Sequence, residues 1–332
     1  MIISILLPVF NTAPYLRECL DSILAQTETD WELLAVNDFS TDESLQILEE
    51  YAVRDERIRV FQNIEKGIVP ALRLAFQQSS GLLVTRMDSD DRMLPQKLAF
   101  LKKMLLENGQ GCVATGLVKY FSQNQLGEGY RRYATWMNSL ALVNRHFDEI
   151  YRECTIPSPC WMAWHGDLTQ IGAFKDTIYP EDYDLAFRFR QAGFKVVTHP
   201  EVLHEWRDRP DRTSRTHELY LDNSYLFLKT DWFIRTDYNA QRPLVLWGAG
   251  RKGKRLARMF SERNVPFRWV CDNPAKWGHR VGTSKLESFE ILLEMSDPQI
   301  IIAVATPAGQ QDILGFLQEH QFKASSHYFL FC

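Results

Sequence analysis

Domains usually run to about 100–200 residues, so a chain of 332 residues implies two of them. Hydrophobic residues make up 45% and charged residues 24%, a balance that excludes a disordered or low-complexity chain. The formal net charge of −4 excludes a global basic field of the kind that captures nucleic acid.

Cys19, Cys112, Cys154, Cys160, Cys271 and Cys332 are scattered, with no CxxC pair and no zinc spacing. That usage suits a reduced, cytoplasmic protein. The apolar start Met1–Asn11 is short for a signal peptide and has no basic region before it. No stretch reaches the ~20 apolar residues needed to span a bilayer. Peripheral contact with the cytoplasmic face of a membrane and homo-oligomerisation both stay open.

In chain order, Ile2–Leu7 reads as a buried strand and Pro14–Ala25 as an amphipathic helix. Glu32–Val36 is a second strand. Ser40-Thr41-Asp42-Glu43 reads as a capping box that opens a helix to Val53. Ile58–Phe61 is strand, Ile68–Gln78 helix and Leu82–Arg86 strand again. Pro95 suits the first turn of a helix that runs to Glu107. This alternation predicts a mostly parallel sheet flanked by helices.

The middle is less regular. It offers a strand at Val113–Tyr120, a loop at Gly127–Gly129, a helix near Met137–Tyr151 and a proline turn at Ile156–Pro159. Glu181–Ala192 is helical, Arg207–Arg215 is a charged loop, and Thr216–Arg235 is an aromatic-rich helix. Asp237–Pro243 then reads as a linker. After it come a strand (Leu244–Trp247), a glycine turn, a helix (Lys252–Arg263), strands at Phe267–Cys271 and Ile300–Val304, and a helix from Ala308. The expected division is a first domain over 1–236, with halves at 1–110 and 111–215 and a helical extension at 216–236. A smaller Rossmann-like α/β domain fills 244–332.

The first chemical signal is Asp88-Ser89-Asp90-Asp91, three carboxylates directly after an apolar strand. Crowded carboxylates repel one another, and a hard divalent cation such as Mg²⁺ or Mn²⁺ offsets that repulsion. Strand carboxyl ends are also where ligands gather in open α/β sheets. A solvated turn capping the next helix would look the same in isolation.

Three stretches in a fixed order go further. Ser4-Ile5-Leu6-Leu7-Pro8-Val9-Phe10-Asn11, Val36-Asn37-Asp38-Phe39-Ser40-Thr41-Asp42 and Arg86-Met87-Asp88-Ser89-Asp90-Asp91 with Leu94-Pro95 resemble glycosyltransferase family 2, which has the GT-A fold. The resemblance implies an inverting, metal-dependent transferase with a nucleotide-sugar donor, UDP above all. It implies that Asp38 bonds the nucleobase while Pro8, Phe10 and Asn11 line the base and ribose pocket. Lys66 and Arg86 would touch the diphosphate. Asp88 would sit by ribose and metal, and Asp90 would ligate the metal. Phe39 stands where the family places glycine, so that turn is expected to differ in shape.

Residues Tyr179–Leu185 open a helix with acids, which the helix dipole favours by itself. With Gly172-Ala173-Phe174 upstream, they resemble the family's acceptor-domain signature. The resemblance makes Asp182 the catalytic base, with Glu181 capping the helix or orienting the acceptor. Asp91 and Trp161 join Glu181 on the acceptor side, although buried packing is the commoner use of a tryptophan. In the loop from His204 to Arg215, Arg207 is placed on the donor phosphates and His204 is a candidate further metal ligand. The acceptor implied is a glycan or lipid-linked sugar in cell-surface polysaccharide synthesis.

Gly248-Ala249-Gly250-Arg251-Lys252-Gly253 fits G-x-G-x-x-G between a strand and a helix, and Asp272 ends the next strand. The pattern allows a nucleotide at Gly248, Gly250, Gly253 and Asp272, and equally a turn that only packs. No hydride-transfer constellation accompanies it. Two alternatives compete with the transferase reading. A nucleotidyltransferase usually has a glycine-rich loop after its first strand, and Pro8–Pro14 has no glycine. A non-catalytic nucleotide-binding scaffold would have no need of Asp88, Asp90 and Asp182.

Overall fold

A computed structural model describes residues 1–122, 127–209, 225–281 and 284–332. It divides into two units, residues 1–146 with 155–221 and residues 147–154 with 222–332.

The first unit is built on an eight-stranded sheet. Its strands are β1 (Ile3–Val9), β2 (Trp31–Asn37), β3 (Ile58–Gln62), β4 (Leu83–Arg86), β5 (Arg92–Met93), β6 (Cys112–Phe121), β7 (Trp161–Trp164) and β8 (Lys195–Arg207), in the order β3-β2-β1-β4-β7-β6-β8-β5. Strands β3, β2, β1 and β4 are parallel, and β7 runs against β4 and β6. Because β1, β2 and β4 are buried on both faces, they read as continuous apolar runs rather than alternating ones. Helices α1 (Ala13–Leu24), α2 (Ser44–Arg54), α3 (Ile68–Gln78) and α4 (Lys97–Asn108) are the crossovers. Leu16, Cys19, Leu20 and Ile23 of α1 and Ile47, Leu48 and Tyr51 of α2 pack on β1 and β2 in one core.

Several elements differ from expectation. Helix α5 spans Glu128–Leu142, so glycines 127 and 129 begin a helix rather than fill a loop. The capping box is not formed. Asp42 Oδ1 accepts the Ser44 amide at 3.0 Å, while Ser40 Oγ turns away to accept the Asn11 amide at 3.1 Å. Strand β8 is not legible in the sequence, because Pro200 and its charged neighbours break the alternation. It pairs in parallel with β6 through register shifts at Gly116–Val118. Helices α6 (His165–Gln170) and α7 (Glu181–Gln191) complete the unit.

The second unit holds a six-stranded sheet, in the order β11-β12-β10-β9-β13-β14. The strands are β9 (Leu244–Trp247), β10 (Arg268–Cys271), β11 (Arg280–Val281), β12 (Ser284–Ser288), β13 (Gln299–Ile302) and β14 (Tyr328–Leu330). All pairs are parallel except β11 with β12. Helices α9 (Arg251–Glu262) and α10 (Pro307–Glu319) accompany it. Helix α8 (Leu226–Thr236), expected as an extension of the first domain, belongs to this unit. Its Phe233 packs edge-on against Phe329, Phe331 and Tyr151, which gives the aromatic pattern of that helix its partner. The earlier part of the expected Thr216–Arg235 helix, and Pro210–Arg215 of the charged loop, lie outside the described residues. No helix among the described residues is long and apolar enough to cross a membrane.

Candidate active site

Three neighbouring parallel strands set the site. Val9 pairs with Asn37 and Leu6 with Arg86, so β1, β2 and β4 deliver Phe10-Asn11, Asp38-Phe39 and Asp88–Asp91 to one edge. That convergence is a property of the sheet, because ligands collect where parallel strands end.

Asn11 Oδ1 accepts the Thr41 amide at 2.8 Å, joining the first turn to the second. Asp38 is 6% exposed. Its Oδ1 accepts Asn63 Nδ2 at 2.7 Å and its carboxylate takes the Gly67 amide at 2.9 and 3.0 Å. Asp38 therefore closes the loop between β3 and α3 beneath the turn. Phe39 has φ 58°, the left-handed conformation a glycine would take. The turn keeps the glycine shape with a phenylalanine in it, contrary to the expected difference, at a cost of about 1–2 kcal/mol. Phe10 and Phe39 are both more than 40% exposed, and the Lys66 ammonium lies 4.9 Å from the Phe10 ring centre. Pro8, within β1, is half-buried.

Arg86 links the acidic turn to α7. Its Nε donates to Asp88 Oδ1 at 2.9 Å and its Nη1 to Glu181 Oε1 at 2.8 Å. The guanidinium is 4% exposed, and the charges of Asp88, Glu181 and Asp182 outweigh burial and raise its pKa. Asp182 is half-buried in the first turn of α7, where its Oδ1 accepts the Tyr183 amide at 2.8 Å. Burial first, and then the Glu181 charge, push its carboxyl up to about 7, with Arg86 opposing them. A carboxylate tuned near neutrality is what general-base work asks for. Glu181 is committed to Arg86.

The metal candidates separate. Asp88 and Asp90 are partly exposed. Asp88 Oδ1 is held by Arg86 and Asp90 Oδ2 by Arg209 Nε at 2.7 Å. Each keeps a second oxygen. Among the described residues no cluster of three or more His, Cys, Asp or Glu side chains is arranged to hold a metal. Two carboxylates fit Mg²⁺ or Mn²⁺ all the same, since such ions usually take one or two and complete their shell with water and substrate phosphate. His204 does not fit as a ligand. It is fully buried, and both ring nitrogens are engaged, Nε2 by Asp91 at 2.9 Å and Nδ1 by Lys97 at 3.2 Å.

Three further expectations meet a different geometry. Asp91 is 0% exposed, with Oδ1 accepting the Arg207 amide at 2.7 Å, so it faces the interior rather than an acceptor. Trp161 is 2% exposed and packs edge-on against Phe189, which leaves no ring face for a sugar. The Arg207 guanidinium lies over the Tyr15 and Phe121 rings and donates to the Asp90 carbonyl at 2.6 Å and to Glu18. It is built into the wall of the site rather than free for phosphate. Lys97, which joins this network through His204, carries no motif signal of its own, whereas Arg209 belongs to the charged loop read from the sequence.

In the second unit the glycine turn closes as the pattern implied. Gly248 has φ 127°, and a side chain at Gly253 would meet the Gly248 carbonyl oxygen at 1.9 Å. Gly250 precedes α9 with open space around its Cα. Asp272 follows β10, but its Oδ1 accepts the Trp247 indole at 2.9 Å. Part of its role is thus to bind two neighbouring strands.

Comparison with known proteins agrees with this architecture. Residues 4–166 match the family described as Glycosyl transferase family 2. Glycosyltransferase GlyA of Streptococcus pneumoniae is 37% identical over 225 residues, which is 64% of this chain and 31% of that protein. Chondroitin synthase of Pasteurella multocida is 29% identical over 212 residues, 61% of this chain and 21% of that one. The chain thus spans a third or less of the length of these relatives. Among solved structures, residues 1–349 of TarS from S. aureus in complex with UDP-GlcNAc superpose with a TM-score of 0.56 at 20% identity, covering 72% of this chain and 68% of that chain. The mannosyltransferase PcManGT from Pyrobaculum calidifontis, in complex with GDP-Man and Mn²⁺, gives 0.54 at 18%, covering 71% and 65%. The strand-end motifs, the sheet that gathers them and these similarities place the chain's first part in glycosyltransferase family 2, as a glycosyltransferase domain.

Proposed function

We propose that this site moves a sugar from a nucleoside-diphosphate donor, UDP in the first instance, to a hydroxyl of a glycan or lipid-linked acceptor, with inversion at the anomeric carbon. The observation that carries the reading is the connection Asp88–Arg86–Glu181 beside Asp182, which joins the acidic turn to a carboxyl raised to about 7. Asp182 takes the acceptor proton as its oxygen attacks opposite the leaving diphosphate. Arg86 fixes Asp88, and Asp88 and Asp90 would hold Mn²⁺ or Mg²⁺. Such an ion, when bound, neutralises the charge that grows on the diphosphate.

Phe10 and Phe39, exposed at the ends of β1 and β2, suit the faces of a base and ribose, with Asp38 behind them. Complexes of TarS with UDP-GlcNAc and of PcManGT with GDP-Man and Mn²⁺ support a nucleotide-sugar donor and a divalent ion. The chondroitin synthase relative supports a polysaccharide acceptor.

The test is release of UDP from UDP-sugars by the purified chain, with Mn²⁺ and with EDTA. Release that needs the ion and vanishes in Asp90→Ala supports the reading. Release unaffected by EDTA overturns its metal, and no release from any nucleotide sugar, with glycan acceptors supplied, overturns the whole.

A further inference from the structure

Directly behind the acidic turn runs a line of polar groups closed off from solvent. Lys97, the first residue of α4, is 0% exposed. Its ammonium donates to the Pro159 carbonyl at 2.5 Å and to His204 Nδ1 at 3.2 Å. His204 on β8 is also 0% exposed and meets Asp91 Oδ2 through Nε2 at 2.9 Å. Asp91 Oδ1 then accepts the backbone amide of Arg207, whose side chain donates to the Asp90 carbonyl.

The direction of these bonds follows from elementary chemistry. Burial lowers the Lys97 pKa and the nearby Asp91 and Asp88 charges oppose it; as an ammonium the group has donors and no lone pair, so His204 Nδ1 accepts. The ring proton therefore sits on Nε2 and points at Asp91. Burial pushes the imidazole well below its usual pKa, in keeping with a neutral ring. With the ammonium in place each of these links has a defined donor and acceptor. Burying a lysine is costly, and hydrophobic residues of the same volume would often stabilise as well or better. Stability alone therefore gives a weak account of the line.

We propose that Lys97, His204 and Asp91 are positioning residues, a one-way hydrogen-bond relay that holds the end of β8 against the acidic turn and so sets the geometry of Asp90. Arg207 and Arg209 both reach Asp90 from that strand end, one at its carbonyl and one at its carboxylate. The inference rests on the donor-site reading given above. It adds three residues, none of which contacts the reacting groups, and gives His204 and Asp91 a role other than ligand and acceptor contact.

A reversal of one donor tests the relay. Asp91→Asn keeps the oxygen that accepts Arg207 but turns an amide N–H toward His204 Nε2–H, so two donors meet. With Lys97 in place the ring cannot move its proton to Nδ1. In the double variant Asp91→Asn with Lys97→Met it can, and Nε2 then accepts from the new amide. The apparent Mn²⁺ activation constant is read if EDTA arrests the wild type, and the donor KM if it does not. That choice keeps a failure of the metal reading distinct from a failure of the relay. Asp91→Asn should weaken the constant about ten- to a hundredfold, the usual effect of losing an outer-shell partner, with a smaller change in kcat. The double variant should recover part of the loss, a coupling that packing damage would not produce. A double variant as poor as the product of the single effects overturns the relay. Should Asp91→Asn fail to fold, ¹⁵N shifts of wild-type His204 decide the matter. A neutral Nε2–H ring supports the relay, and a charged or Nδ1–H ring overturns it.

Discussion

Replacing Asp182 with asparagine should abolish transfer and stabilise the fold, two effects of opposite sign from one carboxyl. The side chain is held in an environment that raises its pKa from 3.8 to about 7. A group whose pKa is higher in the folded state favours folding when protonated and opposes it when ionised. Its contribution is therefore intact below pH 4 and is lost as the pH rises through the window from 4 to 7. Three units correspond to a ceiling of about 4 kcal/mol. Partial exposure and the adjustable Glu181 and Arg86 reduce this to a realistic figure of about 1–3 kcal/mol. Asparagine keeps the oxygen that accepts the Tyr183 amide, so the helix start is preserved. Denaturant titrations of wild type and Asp182→Asn at pH 4 and pH 8 read the difference. The variant should match the wild type at pH 4 and exceed it at pH 8. In the active wild type, kcat/KM should rise with pH to a plateau above about 7, because the base works only when ionised. A variant less stable than wild type at pH 8, or an equal gain at both pH values, refutes the assigned environment.

Three other outcomes follow from particular contacts. Arg209→Ala removes one of the two contacts that set Asp90, so Mn²⁺ alone should bind roughly fivefold more weakly, about 1 kcal/mol, by calorimetry, and tighter binding would show that the guanidinium competes with the metal instead of positioning the carboxylate. Phe39→Gly removes a left-handed phenylalanine, and the relief should nearly cancel the added chain entropy, leaving stability within about 1 kcal/mol of wild type. Its donor KM should rise if the exposed ring faces the base, and an unchanged KM places the ring away from it. Gly253→Ala puts a methyl group against the Gly248 carbonyl and should cost the second unit about 1–3 kcal/mol or more, seen as a lower melting transition. A neutral result would mean that the turn and α9 are not held as described.

Much of the first unit's donor side could be read from residues alone. Apolar runs of β1, β2 and β4 need burial on both faces, and a parallel sheet is the arrangement that supplies it. Once that sheet exists, motifs at strand ends must share one edge, so Asn11, Asp38 and Asp88 converge without further information. The glycine pattern before α9 was equally local, since close approach and positive φ are demands that a single position makes.

What lay beyond the sequence was long-range and directional. Nothing local distinguishes Asp90, partly exposed, from Asp91, turned fully inward, where His204 and the Arg207 amide of β8 hold it. His204 is a candidate ligand only through the family resemblance, which places a histidine near this loop. Its burial between Lys97 and Asp91 depends on β8 pairing with both β6 and β5, which brings His204 to Lys97 across 107 residues of sequence. Trp161 carries the same residue name whether it stacks on a sugar or fills a core, and only the packing of Phe189 against it settles which. Residue types and their spacing determine which chemistry the chain can assemble. Burial and hydrogen-bond partners, which exist only once distant strands meet, decide which of those residues perform it.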